Sequence, residues 1–242
     1  MTDITQIAAD IYRISTFVPE ANVQFNQFLV RDQQPLLFHT GTRALFPLVR
    51  DAVSTVIPPQ TLKWIGFSHF EADECGALRE WQELAPQATA VCSIVAKLVS
   101  VDDVVAARPA LALEDEHRLD TGRYRFRFLQ TPQVPHAWDA GLMYEETTSM
   151  LLCSDLFHHN GNVQPMTTSD VVGPFRQMLL AYEKGPFARY LPYTPQTKPT
   201  LARLAALKPK VLATMHGSTF VGNGEQALLD LADAMEDVLS KP

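Results

Sequence analysis

The sequence predicts a layered α/β protein, and three kinds of observation support this prediction. Short apolar runs alternate with polar turns, as in strands, and several of these runs stop directly at a histidine or an acid. Other segments carry apolar residues at helical spacing. With 242 residues, of which 46% are apolar, the chain can bury one large core, so we expect a single domain over residues 1–242.

The predicted elements alternate along the chain. Strands are predicted over 11–17, 23–30, 34–38, 63–67, 89–93, 124–129, 148–153 and 210–214. Helices are predicted over 44–57, 76–84, 94–105, 170–183, 200–207 and 225–239. The segment 106–121 has no clear period and is predicted to be a surface connection, whereas the proline-rich segment 186–199 is predicted to be a loop that forms a wall or an interface.

The densest group of candidate ligands follows the predicted strand 63–67. The sequence KWIGFSHFEADEC places His69, Glu71, Asp73 and Glu74 within six residues. On extended backbone, residues at i, i+2 and i+4 project to one side, so these groups could meet at one site. A histidine with several carboxylates suits iron or manganese better than zinc. The alternative is a strand that ends in a solvated acidic turn.

Three further candidates also stand at predicted strand ends. His136 lies on a loop constrained by two prolines, although a hydrogen bond to a nearby carbonyl would explain it equally. Asp155 follows the apolar run TSMLLC and must be paired or metal-bound if it is buried. His216 follows the strand 210–214. By contrast, His158 and His159 are expected to be exposed loop residues.

Charge and cysteine content limit the partners and the compartment. Twenty basic and 27 acidic residues give a formal net charge of −7, which disfavours nucleic acid or an anionic membrane as the partner. No signal peptide or membrane helix is predicted, and the three cysteines form no CxxC pair. We therefore expect a cytoplasmic protein with reduced thiols.

The segments HFEADE, PHAWD, LLCSDLF and MHGS, in this order and spacing, resemble the metallo-β-lactamase fold. In particular, the chain resembles the di-iron domain of flavodiiron proteins and the stand-alone oxygen-binding di-iron proteins. This resemblance implies an αββα sandwich with two non-haem iron ions joined by an oxo or hydroxo group at one end of the sheets. The implied ligands are His69, Glu71 and His136 for the first iron, Asp73 and His216 for the second, and Asp155 as the bridge.

The sequence departs from this family in two respects. The family usually carries HxExDH, but Glu74 stands here in place of the last histidine, which makes Glu74 an additional candidate ligand. The chain also stops at Pro242, where flavodiiron proteins continue into a flavin-carrying domain. We therefore expect no bound FMN and a separate electron-donor or signalling protein. Zinc or manganese remains an alternative occupant, and a homodimer is an option known from the family.

The resemblance implies that the protein binds, senses or reduces O₂ or NO, but other functions stay open. A zinc hydrolase acting on a lactone or a thioester is the main alternative, although Glu71 argues against it because such hydrolases carry HxHxDH. A reversible gas sensor and a metal-free scaffold are further alternatives. Four residues beside the ligands are expected to support the site: Ser154 and Ser218 by hydrogen bonds, and Trp138 and Phe70 as walls of a gas pocket.

Overall fold

Two sheets lie face to face in the computed structural model, which describes residues 2–240. The strands of the first sheet are β1 (Thr2–Ala8), β2 (Ile11–Val18), β3 (Val23–Val30), β4 (Leu36–Phe38), β5 (Trp64–Gly66), β6 (Thr89–Ser93) and β7 (Leu111–Leu113). They are arranged in chain order. From β1 to β4 the neighbours are antiparallel, and from β4 to β7 they are parallel.

The second sheet is formed by the second half of the chain. Its strands are β8 (Arg118–Asp120), β9 (Arg125–Gln130), β10 (Gly141–Glu145), β11 (Met150–Ser154), β12 (Met166–Thr167), β13 (Val211–Thr214) and β14 (Thr219–Val221). The order in the sheet is β12-β14-β13-β11-β10-β9-β8. Since β9 and β11 both pair antiparallel with β10, and β13 is parallel to β11, the strands β9, β11 and β13 all run in one direction.

Helices cover the outer faces of both sheets. They are α1 (Phe46–Ser54), α2 (Ala72–Cys75), α3 (Leu78–Leu84), α4 (Ile94–Ala96), α5 (Val172–Tyr182), α6 (Thr197–Ala205) and α7 (Gly224–Leu239). A π-helix over Lys97–Val105 continues α4, and a single 3₁₀ turn spans Pro59–Thr61. Among residues 2–240, no helix combines the length and the apolar character needed to cross a membrane.

Side-chain alternation along the strands explains the layers. In β4, Leu36 and Phe38 belong to the core between the two sheets, where they join Phe128 and Met143 of the second sheet. Leu37 points the opposite way, into the core under α1 and α3. A third core packs α5, α6 and α7 against the outer face of the second sheet. The predicted αββα sandwich is thereby confirmed.

The segment 106–121 was predicted to be a surface connection, and this prediction is wrong. It contains β7 and β8, each of which is three residues long and lies at the end of a sheet. Strands of this length are too short to establish a period of two, and β8 buries only Leu119. The strands β1, β10, β12 and β14 were not predicted either, and β10 shows no alternation because it is buried at every position.

Candidate metal centre

The candidate residues meet at one edge of the sandwich. Asp155 and His216 follow the carboxyl ends of β11 and β13, and His136 lies in the loop after β9. The two sheets are joined here by main-chain hydrogen bonds. The amide of Gly141 donates to the carbonyl of Ser68 at 2.8 Å, and the amide of Asn26 donates to the carbonyl of Met215 at 3.0 Å.

The acidic segment after β5 has a different backbone from the one predicted. Glu71 is extended, with φ −142° and ψ 161°, but the helical turn α2 begins at the next residue. The amide of Cys75 donates to the carbonyl of Glu71 at 2.9 Å and closes this turn. Asp73 and Glu74 therefore reach the site from a helix. The chain also bends at residues 68–70, where the amide of Glu71 donates to the carbonyl of His69 at 3.1 Å, so the expected alternation on extended backbone is wrong.

Asp155 lies at the centre of the group, and its two carboxylate oxygens face different histidines. Oδ2 is 2.8 Å from Nε2 of His136 and 3.7 Å from Nε2 of His69. Oδ1 is 3.2 Å from Nε2 of His216, whose Nε2 is also 3.2 Å from Oδ2 of Asp73. Asp155 thus stands between two sets of possible ligands.

Glu71 completes the set on the His136 side. Its Oε2 lies 3.1 Å from Nε2 of His69 and 3.4 Å from Nε2 of His136. The possible ligands form two sets, and within each set one donor atom from every residue lies within 4.8 Å of the donor atoms of the other residues. The first set is His69, Glu71, His136 and Asp155, and the second is Asp73, Glu74 and His216.

The protonation states in the metal-free protein reflect this crowding. Burial by itself raises the pKa of Asp155, but hydrogen bonds from His136 and His216 hold it well below its ordinary value. Burial likewise lowers the pKa of His216, but hydrogen bonds to Asp155 and Asp73 raise it to about 10. For Glu74, burial and the negative charges of Asp73 and Asp155 raise the pKa well above its ordinary value.

Two of the three site histidines are oriented through Nδ1, which leaves Nε2 directed at the cluster. Nδ1 of His216 lies 2.9 Å from the carbonyl oxygen of Gln24, to which it can donate. Nδ1 of His69 lies 3.0 Å from Oγ of Ser68, and Ser68 Oγ is in turn 2.7 Å from Oγ of Ser154. Such partners are typical of metal-binding histidines, because they select the tautomer with a free Nε2.

The donor set fits two metal ions. It consists of imidazole nitrogens and carboxylate oxygens, which suit iron and manganese as well as zinc. Within residues 2–240, both carboxylate oxygens of the fully buried Glu74 lack a hydrogen-bond partner. A buried carboxylate without a partner is costly in free energy, and a nearby cation removes that cost. Asp155 presents one carboxylate oxygen to His136 and the other to His216.

A cavity of about 380 Å³ opens onto the cluster. Apolar and aromatic side chains form most of its wall, and the cluster contributes Glu71, Asp73, Asp155 and His216. The remaining lining residues are Glu20, Ala21, Val23, Phe25, His158, Tyr182, Phe187 and Tyr190. Phe187 and Tyr190 belong to the proline-rich segment 186–199, which therefore forms a wall, as predicted.

The two histidines expected to be exposed are buried. His158 is 5% exposed and His159 is 7% exposed. His158 lines the cavity, and its ring lies 4.5 Å from that of His216. Nδ1 of His159 donates to the carbonyl of Phe157 at 3.0 Å, and its Nε2 accepts from the amide of Ser218 at 3.4 Å. The tertiary fold covers this loop, which a local sequence pattern does not reveal.

The four supporting residues have different positions. Ser154 lies 3.4 Å from Nδ1 of His69, as expected for a hydrogen-bonding neighbour. Ser218 contacts His159 through its main-chain amide. Trp138 is 59% exposed and does not line the cavity, so its predicted role as a wall is wrong. Phe70 lines a second cavity, of about 460 Å³, which also reaches Glu71.

Sequence reasoning missed several residues that shape the site. Asn26 donates to the carbonyls of Thr214 and Gly217 at 2.9 and 3.0 Å, and thereby holds the segment that carries His216. Nε2 of the buried His39 lies 3.1 Å from Oγ of Ser68. The polar residues of β3 in the run VQFNQFLV were a usable signal, because buried amides in a strand require partners.

A two-sheet sandwich with histidines and carboxylates at one edge is the architecture of a metallo-β-lactamase-type domain with homology to flavodiiron proteins. The chain belongs to the family described as ODP family beta lactamase, whose sequence model matches residues 23–217.

Several known proteins are similar to this chain. The putative diflavin flavoprotein A 2 of Synechocystis sp. is 27% identical over 198 residues, which cover 80% of this chain and 33% of that protein. Rubredoxin-oxygen oxidoreductase of Megalodesulfovibrio gigas is 22% identical over 223 residues, which cover 90% of this chain and 54% of that protein. This chain therefore spans a third to about half of the length of these two relatives.

Solved structures agree with this relationship at the level of the fold. Rubredoxin oxygen:oxidoreductase of Desulfovibrio gigas superposes with a TM-score of 0.80 at 18% identity, covering 96% of this chain and 62% of the other. A fragment, 1–254, of the putative diflavin flavoprotein A 5 of Nostoc sp. gives a TM-score of 0.78 at 17% identity, and covers 97% of this chain and 96% of the fragment.

Proposed function

We propose that this chain is a non-haem di-iron protein that binds or reduces O₂ or NO with electrons from a redox partner. The position of Asp155 between the two sets of ligands supports this proposal most strongly. In the proposed site His69, Glu71 and His136 would hold one ion, Asp73 and His216 would hold the other, and Asp155 would be shared between them. When bound, the iron pair supplies the electrons and the open coordination positions that gas chemistry requires.

The tautomers of the histidines fit this assignment. With Nδ1–H donated to the Gln24 carbonyl, His216 keeps the lone pair of Nε2 for a metal. Nδ1 of His69 can likewise donate to Oγ of Ser68, 3.0 Å away. Because these partners are buried, each ring is held in one orientation before the metal arrives, which reduces the entropy lost on binding.

The cavity suits a small neutral molecule. Burial, followed by the negative charges of Asp155 and Glu74, raises the pKa of Tyr190 well above its ordinary value, so its hydroxyl stays protonated at neutral pH. Burial lowers the pKa of His158 to about 3, so this imidazole is neutral. Tyr190 and His158 therefore add hydrogen-bonding groups to the cavity without adding charge.

The names of the relatives support the redox class. The Megalodesulfovibrio protein is a rubredoxin-oxygen oxidoreductase, and the Synechocystis protein is a putative diflavin flavoprotein. We propose that the present chain likewise receives electrons from a separate donor protein or domain and passes them to a gas. A zinc hydrolase is less suited to this site, because Glu71 stands where such hydrolases carry a histidine, and its carboxylate reduces the Lewis acidity of a bound metal.

Metal analysis of protein purified without oxygen, followed by an optical spectrum of the reduced protein in air, tests the proposal. We expect about two iron ions per chain, a new visible band on exposure to O₂ or NO, and gas uptake when a reductant is supplied. Zinc occupancy without a spectral response, together with hydrolysis of a lactone or a thioester, would instead establish the hydrolase alternative.

A further inference from the structure

The two sets of ligands differ in composition. The first set combines two imidazoles, His69 and His136, with the carboxylate of Glu71. The second combines one imidazole, His216, with the carboxylates of Asp73 and Glu74. Asp155 offers one oxygen to each side. The second position is therefore richer in oxygen and more negative than the first.

Glu74 is the residue that creates this difference, and it points into the cluster. Its Oε2 lies 3.9 Å from Nε2 of His69, and one of its oxygens is within 4.8 Å of donor atoms of Asp73 and His216. The residue is 0% exposed, and neither oxygen has a hydrogen-bond partner in the part of the chain that the structure describes. An ionised carboxylate buried in this way is costly in free energy, and a cation bound beside it would remove that cost.

We propose that Glu74 is a direct ligand of the metal held by Asp73 and His216, and that it shifts the preference of this position from Zn²⁺ towards Mn²⁺ and other hard cations. This inference rests on the proposed function in one respect, namely that the chain binds two metal ions. It assigns different metal preferences to the two positions.

The charges of the site agree with this assignment. The carboxylates of Glu71, Asp73, Glu74 and Asp155 carry four negative charges when ionised, which balance two divalent cations. The histidines contribute no charge as neutral ligands. Replacing an imidazole by a carboxylate favours cations that prefer oxygen, because imidazole suits zinc whereas carboxylate suits manganese.

Competition between Mn²⁺ and Zn²⁺ for the metal-free chain tests the proposal. Wild type, Glu74→Gln and Glu74→His would each be equilibrated with both metals without oxygen. Mass spectrometry would count the bound metals, and the electron paramagnetic resonance signal would report Mn²⁺. Anomalous diffraction at each absorption edge would then assign the metals to positions. Glu74→Gln is neutral and nearly isosteric, so it removes the charge with little change in volume.

We expect Glu74→Gln to weaken the second position at least about tenfold while the first position stays within about twofold of wild type. Glu74→His should shift the Mn²⁺ to Zn²⁺ ratio at the second position at least about tenfold towards zinc. Glu20→Gln is the matched control, because Glu20 is exposed at the same cavity. It removes the same charge without changing a ligand.

The outcomes separate this inference from the proposed function. If Glu74→Gln binds the second metal as tightly as wild type does, Glu74 is a neutral neighbour and not a ligand. An unchanged metal ratio in Glu74→His overturns the assigned preference in the same way, and both results leave a two-metal protein in place. If the wild-type chain takes up no metal, the proposed function fails together with this inference. Glu74→His keeps the test valid if Glu74→Gln does not fold.

Discussion

Nδ1 of His216 lies 2.9 Å from the carbonyl oxygen of Gln24, a residue 192 positions earlier in the chain. Gln24 belongs to β3 of the first sheet, and His216 follows β13 of the second. One hydrogen bond therefore joins the two sheets and also selects the tautomer that the proposed metal site requires. The site depends on the packing of the sandwich as much as on its ligands.

Asp155→Asn should remove the bridge between the metal positions. The amide is neutral and offers only one oxygen, whereas both oxygens of Asp155 face histidines. We expect bound metal to fall from about two ions per chain to one or fewer, as measured by mass spectrometry after dialysis. His117→Ala, a change at an exposed histidine, should leave the metal content unchanged. A variant that keeps both ions would contradict the bridging role.

Asn26→Ala should lower both stability and metal affinity. Asn26 is fully buried, and its side-chain amide donates to the carbonyls of Thr214 and Gly217. The variant loses both bonds, although Arg13 still donates to the Gly217 carbonyl, so the free energy of unfolding should fall by about 1–3 kcal/mol. The segment that carries His216 loosens, and metal titration should detect weaker binding at the second position.

The control for Asn26→Ala is Asn223→Ala at the start of α7. The side chain of Asn223 accepts from the amide of Gln226 and caps this helix. Its loss should cost about 1 kcal/mol of stability, but it should leave metal affinity unchanged because no site residue is involved. Equal losses of metal affinity in both variants would show that the effect of Asn26 is a general loss of stability.

Ser68→Ala should weaken metal binding at the first position. Its hydroxyl lies 3.0 Å from Nδ1 of His69 and 2.7 Å from Oγ of Ser154. Without this hydroxyl, Nδ1 of His69 keeps only the longer contact of 3.4 Å to Oγ of Ser154. We expect metal affinity to fall about 10–100-fold, as for other residues that orient metal-binding histidines. Ser54→Ala, at an exposed position in α1, should have no effect, and an equal effect there would refute the role of Ser68.

Asp32→Asn should reduce stability in a way that depends on pH. Burial raises the pKa of Asp32, but hydrogen bonds from the hydroxyl of Thr121 and the main-chain amides of Gln33, Tyr124 and Arg123 lower it below its ordinary value overall. A lowered folded-state pKa contributes stability that is fully present above the unfolded value of about 3.9 and is lost as pH falls through the folded value.

The measurement for Asp32→Asn is urea denaturation of wild type and variant at several pH values. The difference in unfolding free energy should be about 1 kcal/mol from pH 7 to pH 5, and it should shrink at more acidic pH. Asp103→Asn, at an exposed position of the π-helix, should show no such trend. A difference that grows as the solution is acidified would contradict the sign of the pKa shift.

Much of the fold could be predicted from local patterns. The strands β2 and β3 were predicted as runs bounded by polar turns and the helix α7 from its helical spacing, and the observed bounds of all three lie within a residue of the predicted ones. The strands β7 and β8 are three residues long, and β10 is buried throughout, so none of them has a usable period. Local patterns do not identify such strands.

The sequence by itself determined the class of the fold and the candidate ligands, because each of these depends on residue type at a strand end. Only the tertiary structure decided which residues meet. Nearby residues such as His69 and Glu71 are linked by local geometry, but the approach of Gln24 to His216 and the burial of His158 depend on sheet packing. Contacts between residues distant in the chain form when the two sheets bury their apolar faces against each other. A local sequence pattern does not show which of these distant residues will meet.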